Sequence, residues 1–327
     1  MKKNVLVIGG AGYIGSHMVR SLVEANYQPI VFDNLSTGHK RAVPSEAIFV
    51  KGDLQSLGDV KSLFDQFSFV GVMHFSASSI VPESVQNPLK YYLNNVAAFL
   101  NLLQHLVLVD SPKLILSSTA AVYGEAKVIP IKENSPIQPT HPYGQSKWMM
   151  EKILADVAGT CKMSYVVFRY FNAAGAHPKG ETGECHDPET HLIPNLLNAL
   201  DQNKKEFSLF GDDYPTQDGT CVRDYIHVQD LCRGHLLALQ YLEKGGVSET
   251  FNLGSQQGYS VNEILKSVED VVGKKIPFKV CDKRPGDPPV LIADSQKARQ
   301  ILGWKPQETL QTIIQTAYQW HEKCHES

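Results

Sequence analysis

A tyrosine and a lysine lie four residues apart in the segment HPYGQSK, residues 141–147. Residues at positions i and i+4 share one face of a helix, so Tyr143 and Lys147 point the same way if a helix begins near Pro142. A free tyrosine has a pKa of about 10 and is a poor base at neutral pH. A neighbouring ammonium group stabilises the phenolate and lowers this pKa, which lets the phenolate take a proton from a substrate hydroxyl. The spacing alone is weak support, because many helices contain such a pair by chance.

A threonine could supply a third group that moves a proton. The segment KLILSSTAAVYG predicts a buried strand that ends near Thr119. In an open α/β sheet, ligands bind beyond the carboxyl ends of the strands, so the Thr119 hydroxyl could share a substrate proton with Tyr143. Taken alone, a threonine at this position is more often an ordinary turn residue.

A glycine-rich turn near the N-terminus predicts a dinucleotide site. The segment GGAGYIG, with Gly9, Gly12 and Gly15, lies between a predicted strand and a predicted helix. Glycine is needed where such a turn is tight and where a pyrophosphate approaches the backbone at a helix N-terminus. Asp33 ends the next predicted strand, where a carboxylate binds ribose hydroxyls and repels a 2′-phosphate, which favours NAD over NADP. Asp53, at the end of the third strand, is a candidate adenine contact.

Strands alternate with helices through residues 1–172, which predicts an α/β fold with a parallel sheet. We interpret this part as an NAD-binding, Rossmann-type doubly wound sheet that includes the Tyr143 helix. Gly, Pro, His and acidic residues then crowd residues 175–190. We interpret residues 173–327 as mainly a smaller C-terminal α/β substrate-binding lobe, with some elements returning to the main sheet. The predicted strands lie in the segments NVLVIGG, PIVFDN, AIFVKGDL, FVGVMHFSA, KLILSS and SYVVFRY.

The composition excludes several classes of protein. The chain has 327 residues, of which 43% are hydrophobic and 20% charged, as in a globular protein. A net charge of -3 and a pI of about 6.5 argue against a nucleic-acid-binding protein, which carries a basic face. We expect neither a signal peptide nor a membrane span, because the apolar runs are too short. The six cysteines form no C-x-x-C pair, no metal site is predicted, and scattered thiols are typical of the cytoplasm.

Longer segments carry a resemblance to a known family. The glycine turn, Asp33, Thr119, Tyr143 and Lys147 together resemble the extended short-chain dehydrogenase/reductase superfamily. Further segments narrow the resemblance to its UDP-glucose 4-epimerase family, over nearly the whole chain. These segments are GGAGYIGSH, VFDNLSTGH, ESVQNPLKYYLNNV, HPYGQSK, RYFNAAGAHP and, as the most specific, DYPTQDGTCVRDYIHVQDL.

The resemblance implies an isomerase of galactose metabolism that interconverts UDP-galactose and UDP-glucose. Tightly bound NAD would take a hydride from C4 of the sugar, the resulting 4-keto sugar would rotate, and the hydride would return to the opposite face. Tyr143 would be the catalytic base and acid, Lys147 would lower its pKa and bind the nicotinamide ribose, and Thr119 would assist proton transfer. Family members are usually homodimers packed through two helices per subunit, here one near residues 90–108 and the one that carries Lys147.

The resemblance also implies two sets of binding residues. Besides Tyr143 and Lys147, the NAD site would be lined by Gly9, Gly12, Tyr13, Ile14, Gly15, Asp33, Asn34, Asp53, Leu54, Phe75, Ser76, Ala77, Asn94 and Phe171. Besides Thr119, the UDP-sugar would be held by Asn172, His191, Leu192, Ser208, Phe210, Arg223, Arg284, Asp287 and Leu291. Arginine suits this role because its planar group binds phosphate oxygens in pairs.

Three positions depart from the family pattern or set its specificity. Ser79 stands where some members carry a lysine near the nicotinamide, and His191 stands where some carry asparagine. Leu291 aligns with a position that gates the substituent at C2 of the sugar. Its intermediate size favours glucose and galactose but leaves N-acetylhexosamines open.

The sequence leaves other functions open. A 4,6-dehydratase would need a further acid and base beside Thr119, whereas Ala120 and Ala121 follow it. An epimerase of UDP-N-acetylhexosamines or of uronates is a second alternative, and the uronate enzyme would need a cationic pocket for the sugar carboxylate. A non-catalytic NAD-binding interaction protein is a remote alternative, because Tyr143 and Lys147 are both intact.

Overall fold

The computed structural model describes residues 2–201, 206–284 and 286–326, in which strands and helices alternate along the first half of the chain. The strands are β1 (Asn4–Ile8), β2 (Gln28–Asp33), β3 (Ile48–Lys51), β4 (Gly71–His74), β5 (Lys113–Thr119), β6 (Ser164–Tyr170), β7 (Asn172–Ala174), β8 (Phe207–Phe210), β9 (Val222–His227), β10 (Glu249–Leu253), β11 (Gly258–Ser260), β12 (Phe278–Cys281) and β13 (Val290–Leu291). The helices are α1 (Tyr13–Glu24), α2 (Leu57–Gln66), α3 (Val81–Gln86), α4 (Pro88–Tyr91), α5 (Ala98–Leu106), α6 (Pro142–Ala158), α7 (Leu192–Asn198), α8 (Val228–Glu243), α9 (Val261–Val272), α10 (Gln296–Leu302) and α11 (Leu310–Glu326).

Seven parallel strands form the main sheet, in the spatial order β3-β2-β1-β4-β5-β6-β10. The first six are the six strands that the sequence predicts. The order reverses between β1 and β4, and such a reversal opens a crevice for ligands beyond the carboxyl ends of the strands. The predicted Rossmann-type doubly wound fold is therefore confirmed.

Helices cover both faces of the main sheet, because parallel strands are apolar on both sides and need two layers of cover. Val7, Val31 and Phe168 belong to the core on one face, which also includes residues of α1 and α8. Leu6, Ile30 and further strand residues belong to the opposite core, with residues of α2, α5 and α6. These two cores hold the strand ends rigidly, which fixes the positions of the side chains that follow them.

A smaller lobe follows β6. Strand β9 pairs with β7 and β13 in parallel and with β11 in antiparallel, and β8 pairs with β12. Residues of α7, α9 and α11 form its own apolar core. Strand β10, from the same half of the chain, leaves this lobe and adds the seventh strand to the main sheet beside β6.

The helix predicted over residues 88–108 is interrupted in the structure. Residues Tyr92–Ala97 form a π-helical segment between α4 and α5. The extra residue per turn rotates Asn95 inward, where its amide nitrogen donates to the Ser146 hydroxyl at 3.0 Å and its amide oxygen accepts from Ser78 N at 2.8 Å. Segments of this kind often occur at functional sites, and this one lies directly against α6.

In the part of the chain that the structure describes, none of the helices has both the length and the apolar character needed to cross a bilayer. Among the described residues, the six cysteines form no disulfide bond.

Candidate active site

Helix α6 packs closely against the carboxyl end of β5. It begins with Pro142, whose fixed φ and missing N–H suit the first helical position, and His141 caps it by accepting a hydrogen bond from Gly144 N at 3.2 Å. A Cβ at position 144 would lie 2.7 Å from the Ala121 carbonyl oxygen, so only glycine allows this approach. The close packing brings the Tyr143 side chain to the end of the strand.

The Tyr143 phenol lies near the hydroxyl of Thr119, the last residue of β5, which acts on its pKa as a hydrogen-bond partner. The Thr119 hydroxyl also accepts from Ala121 N at 3.1 Å, which fixes its orientation. Burial raises the pKa of the Tyr143 phenol, and the Thr119 hydrogen bond lowers it by less. The phenol is therefore a proton donor at neutral pH, with a hydroxyl in place to share the proton.

The Lys147 ammonium donates a hydrogen bond to the Ser117 carbonyl oxygen at 2.8 Å and is 2% exposed. Burial lowers its pKa to about 8, although the nearby Glu151 carboxylate acts in the opposite direction. The sequence predicts that Lys147 lowers the pKa of Tyr143. In the structure burial dominates the pKa of the phenol and raises it, so the effect of Lys147 stays a prediction. Loss of water around the phenol dominates its ionisation, because burial disfavours the charged phenolate.

Further side chains hold the Tyr143 ring, and sequence reasoning missed them. The His141 ring stacks almost parallel to it, with centroids 6.0 Å apart, and Tyr91 approaches edge-on at 6.4 Å. Asn95 supports the same helix through Ser146. Proline at the first helical position is a recognisable start signal, but nothing in the sequence marks Asn95, because its role depends on the π-helical segment.

The glycine turn between β1 and α1 fits a dinucleotide. Gly9 has a φ of +74°, and a Cβ at Gly15 would lie 2.1 Å from the Gly9 carbonyl oxygen, so both positions require glycine. At Gly12 the nearest neighbour of an added Cβ is 3.4 Å away, so this side of the turn is open. Among the described residues no side chain caps α1. Its first N–H groups can therefore bind a pyrophosphate.

Asp33 is held at the end of β2 beside this turn. Its carboxylate accepts hydrogen bonds from Ala11 N at 2.9 Å and from Leu35 N at 2.8 Å, and it is buried. Asn34 donates to the Asp53 carboxylate at 2.9 Å, so the ends of β2 and β3 are joined. These fixed carboxylates suit the ribose and adenine of a dinucleotide better than a 2′-phosphate, which they would repel.

The other predicted cofactor residues surround the same sheet edge. A Cβ at Gly9 would meet Ser76 N at 2.7 Å, so the loop after β4, with Phe75, Ser76 and Ala77, touches the turn. Asn94 lies in the π-helical segment and donates to the Ser78 hydroxyl at 3.2 Å. The remaining members of the set are Tyr13, whose hydroxyl donates to the Gly175 carbonyl at 2.6 Å, and the apolar residues Ile14, Leu54 and Phe171.

Two of the residues that the sequence predicts to bind the substrate are arginines of the smaller lobe. Arg223, on β9, forms an ion pair with Asp287, and its side chain is mostly buried. The Arg284 guanidinium lies over the Phe210 ring, 4.1 Å from its centroid. The Asp287 charge also acts on His141, which stacks on Tyr143, so this region adjoins the end of α6.

Leu291 lies opposite Arg223 in the β9–β13 pair, and it packs against the cluster that contains Phe171 and Ala120. This cluster surrounds the strand end that carries Thr119. Asn172, which follows Phe171, is exposed at the start of β7. The predicted gate residue therefore lies between the arginine region and the Tyr143 region.

Other predicted substrate residues have different surroundings. His191 lies just before α7 and contacts Glu184 and Glu189 through Nδ1, at 2.6 and 2.9 Å. Leu192 packs at the edge of the smaller lobe's core, and Ser208 lies opposite Lys279 in the β8–β12 pair. Within the described residues no side-chain hydrogen bond joins Ser208 to the arginines or to α6. Ser79, the departure from the family lysine, is exposed in the loop after β4.

The chain is similar to known proteins over nearly its whole length. It is 49% identical to the UDP-glucose 4-epimerase of Lacticaseibacillus casei over 97% of this chain and 96% of that protein. The solved UDP-glucose 4-epimerase of Brucella ovis, in complex with NAD, superimposes with a TM-score of 0.94 at 44% identity and covers 98% of both chains. That of Bifidobacterium longum, in complex with NAD+ and UDP, gives a TM-score of 0.92 at 37% identity, again over 98% of both chains.

The family model agrees with these similarities. The model described as the NAD dependent epimerase/dehydratase family matches residues 5–254, which include the glycine turn, Thr119 and the pair Tyr143 and Lys147. We conclude that the chain belongs to the NAD dependent epimerase/dehydratase family.

Proposed function

We propose that this protein is an NAD-dependent 4-epimerase, an isomerase that interconverts UDP-galactose and UDP-glucose. The observation that carries the proposal is the contact of the Tyr143 phenol with the Thr119 hydroxyl at the carboxyl edge of the sheet, beside a glycine turn open to a pyrophosphate. The near full-length similarity to proteins named UDP-glucose 4-epimerase supports the choice of substrate.

NAD would be held along the edge formed by β1, β2, β3 and β4. The first turn of α1 would bind its pyrophosphate, Asp33 its adenosine ribose, and Asn34 and Asp53 would face the adenine. Lys147 would hold the nicotinamide ribose while keeping its hydrogen bond to Ser117. When bound, NAD supplies the hydride acceptor and donor for C4 of the sugar, so we propose that it stays tightly bound and is recycled in each turnover.

Tyr143 and Thr119 would move the proton at O4 of the sugar. The Tyr143 phenolate would take this proton as the 4-keto sugar forms, and the phenol would return it to O4 after the sugar has rotated. Because burial raises the pKa of Tyr143, the phenol releases a proton only when a nearby positive charge compensates. The Lys147 ammonium, four residues further along the helix, provides such a charge.

The smaller lobe would hold UDP while the 4-keto sugar rotates. Arg223 and Arg284 match the planar geometry of phosphate oxygens, and Phe210, under Arg284, offers an aromatic face to the base. A rotating 4-keto sugar needs few fixed contacts, so most of the binding energy must come from the nucleotide. We accordingly assign NAD binding mainly to residues 1–172 and UDP-sugar binding mainly to residues 173–327, and we place the enzyme in galactose metabolism.

We also propose that the active form is a homodimer. Large apolar side chains are exposed along residues 81–108, among them Leu89 at 71% and Leu93 at 58%. Apolar patches of this kind on helices are typical of protein interfaces. This surface lies next to α6, which the family resemblance names as the second interface helix.

The decisive test gives the purified protein UDP-galactose without added NAD and follows UDP-glucose. Product formation is expected, because the proposal requires a resident cofactor. If no product forms even when NAD is added, the epimerase proposal is wrong. Formation of a 4-keto-6-deoxy sugar instead would identify a 4,6-dehydratase.

A further inference from the structure

A short loop before α7 repeats the same three-residue pattern. The sequence Glu184-Cys185-His186 is followed, after Asp187 and Pro188, by Glu189-Thr190-His191. Each unit is a glutamate and a histidine two residues apart. In an extended chain, residues two apart point to the same side, so both units present a carboxylate and an imidazole together.

The four side chains converge on one point. His186 Nδ1 and His191 Nδ1 lie 3.2 and 2.6 Å from the same Glu184 oxygen, and His191 Nδ1 lies 2.9 Å from a Glu189 oxygen. One potential ligand atom from each of the four residues lies within 4.8 Å of the others. The intervening thiol of Cys185 points away and contacts Arg41.

The loop is held by a side chain of α11 and by hydrogen bonds within the loop itself. Trp320 Nε1, on α11, donates to the Glu184 carbonyl oxygen at 2.7 Å. The backbone N–H groups of Thr190 and His191 donate to the Glu189 carboxylate at 2.7 and 2.8 Å. The side chains of Glu184 and Glu189 are 7% and 12% exposed, whereas His186 and His191 remain partly open to solvent. His186 also lines a cavity of about 110 Å³, together with Gly12 and Tyr13 of the glycine turn.

We propose that Glu184, His186, Glu189 and His191 bind one divalent transition-metal ion of the Zn²⁺ type. Two imidazole nitrogens and two carboxylate oxygens form a complete tetrahedral ligand set. Bonds of about 2.0–2.2 Å place neighbouring ligand atoms about 3.4 Å apart. The shortest present contact, 2.6 Å, would need to open by about 0.8 Å, and any pair as far apart as 4.8 Å would need to close by about 1.4 Å. The backbone donors to Glu189 supply the second-layer hydrogen bonds that orient ligands in metal sites.

A metal ion suits this cluster for an electrostatic reason. With neutral imidazoles, the two buried carboxylates carry two negative charges, and unpaired buried charges are costly. A divalent ion neutralises both carboxylates with one charge centre. The ion binds whether or not the protein is an epimerase, because it uses none of the groups that move the O4 proton.

The test measures metal binding directly on the full-length protein after treatment with a chelator. Zn²⁺ is titrated in competition with a chromophoric chelator, and Co²⁺ is titrated while its visible absorption is recorded. We expect one Zn²⁺ per chain and the visible bands of four- or five-coordinate Co²⁺. His186→Gln and Glu189→Gln should each weaken Zn²⁺ binding by at least about tenfold.

Matched variants separate this site from other surface groups. His39→Gln removes an exposed imidazole near the same loop, and Glu181→Gln removes a carboxylate of the neighbouring segment that pairs with Arg20. Both controls should bind Zn²⁺ like the wild type. Equal Zn²⁺ affinity in the wild type and His186→Gln, or no Zn²⁺ binding at micromolar concentration, would overturn the proposal.

X-ray absorption of the wild-type protein loaded with Zn²⁺ gives a result that does not depend on the variants folding. Two imidazole ligands without sulfur are expected, and a spectrum without imidazole or with sulfur contradicts the proposed site.

Discussion

The Lys147 ammonium binds the carbonyl oxygen of Ser117, two residues before the Thr119 that binds Tyr143. Four residues along a helix rise about 6 Å, and two residues along a strand rise about 7 Å. The rise from Tyr143 to Lys147 along α6 therefore matches the rise between Ser117 and Thr119 along β5. One strand end sets the positions of both the phenol and the ammonium.

Tyr143→Phe should reduce kcat on UDP-galactose by roughly 10²–10⁴-fold, because the phenol oxygen is the group that receives the O4 proton. The substitution keeps the ring and its contacts with His141 and Tyr91, so the thermal unfolding midpoint should change little. A Tyr165→Phe variant, on β6, serves as a control and should retain activity. Near-normal turnover in Tyr143→Phe would mean that another group is the base.

Thr119→Val should lower kcat by about tenfold to hundredfold, because it removes the hydroxyl that hydrogen-bonds the phenol while keeping the side-chain shape. Thr119→Ser, which keeps a hydroxyl, should recover most of the activity. Steady-state kinetics of both variants distinguish proton sharing from packing. Equal losses in the valine and serine variants would favour a packing role.

Lys147→Met should remove a characteristic dependence of the protein's stability on pH. The pKa of Lys147 falls from its ordinary value of 10.5 to about 8 in the folded protein, which corresponds to about 3 kcal/mol. Between pH 8 and pH 10.5 the unfolded chain binds more protons at this lysine than the folded chain does, so the free energy of unfolding rises with pH. Lys147 therefore destabilises the folded protein fully below pH 8 and progressively less above it.

The stability advantage of Lys147→Met over the wild type should therefore shrink by up to about 3 kcal/mol between pH 8 and pH 10.5. Urea unfolding at several pH values measures this difference. Lys162→Met removes an exposed ammonium and should show no such trend. A constant difference for Lys147→Met would contradict the lowered pKa.

Leu291→Ala should shift specificity toward UDP-N-acetylglucosamine. Leu291 packs between the arginine region and the cluster around Thr119, and its truncation makes room for a substituent at C2. The ratio of kcat/KM for UDP-N-acetylglucosamine to that for UDP-glucose should rise by about tenfold or more. Val290→Ala, at the adjacent position that faces the other side of the strand, should leave the ratio unchanged. The same ratio in both variants would exclude Leu291 as the gate.

Leu89→Asp combined with Leu93→Asp should convert the proposed dimer to a monomer of 36.3 kDa. Burying two carboxylates in an apolar interface is strongly unfavourable. Light scattering during size-exclusion chromatography measures the mass. Val247→Asp changes an equally exposed apolar residue outside this surface and should leave the dimer intact. A monomeric wild type would refute the dimer proposal.

The local features of this protein could be read from the sequence. Six alternating strands, the glycine turn and the start of α6 at Pro142 each depend on neighbouring residues, so short segments carry their signal. The position of Asp33 could be predicted in the same way, because this residue ends the first strand after the glycine turn. The interruption at Tyr92–Ala97 could not be read, because a π-helical segment has no clear pattern of its own.

The sequence by itself determined the doubly wound fold, the glycine turn and the helix spacing of Tyr143 and Lys147, because these follow from side-chain periodicity and backbone constraints within short segments. Only the tertiary structure decided that Lys147 binds the Ser117 carbonyl and that the pKa of Tyr143 is raised, since both depend on burial by distant segments. The convergence of Glu184, His186, Glu189 and His191 likewise required the loop to be closed and held by Trp320.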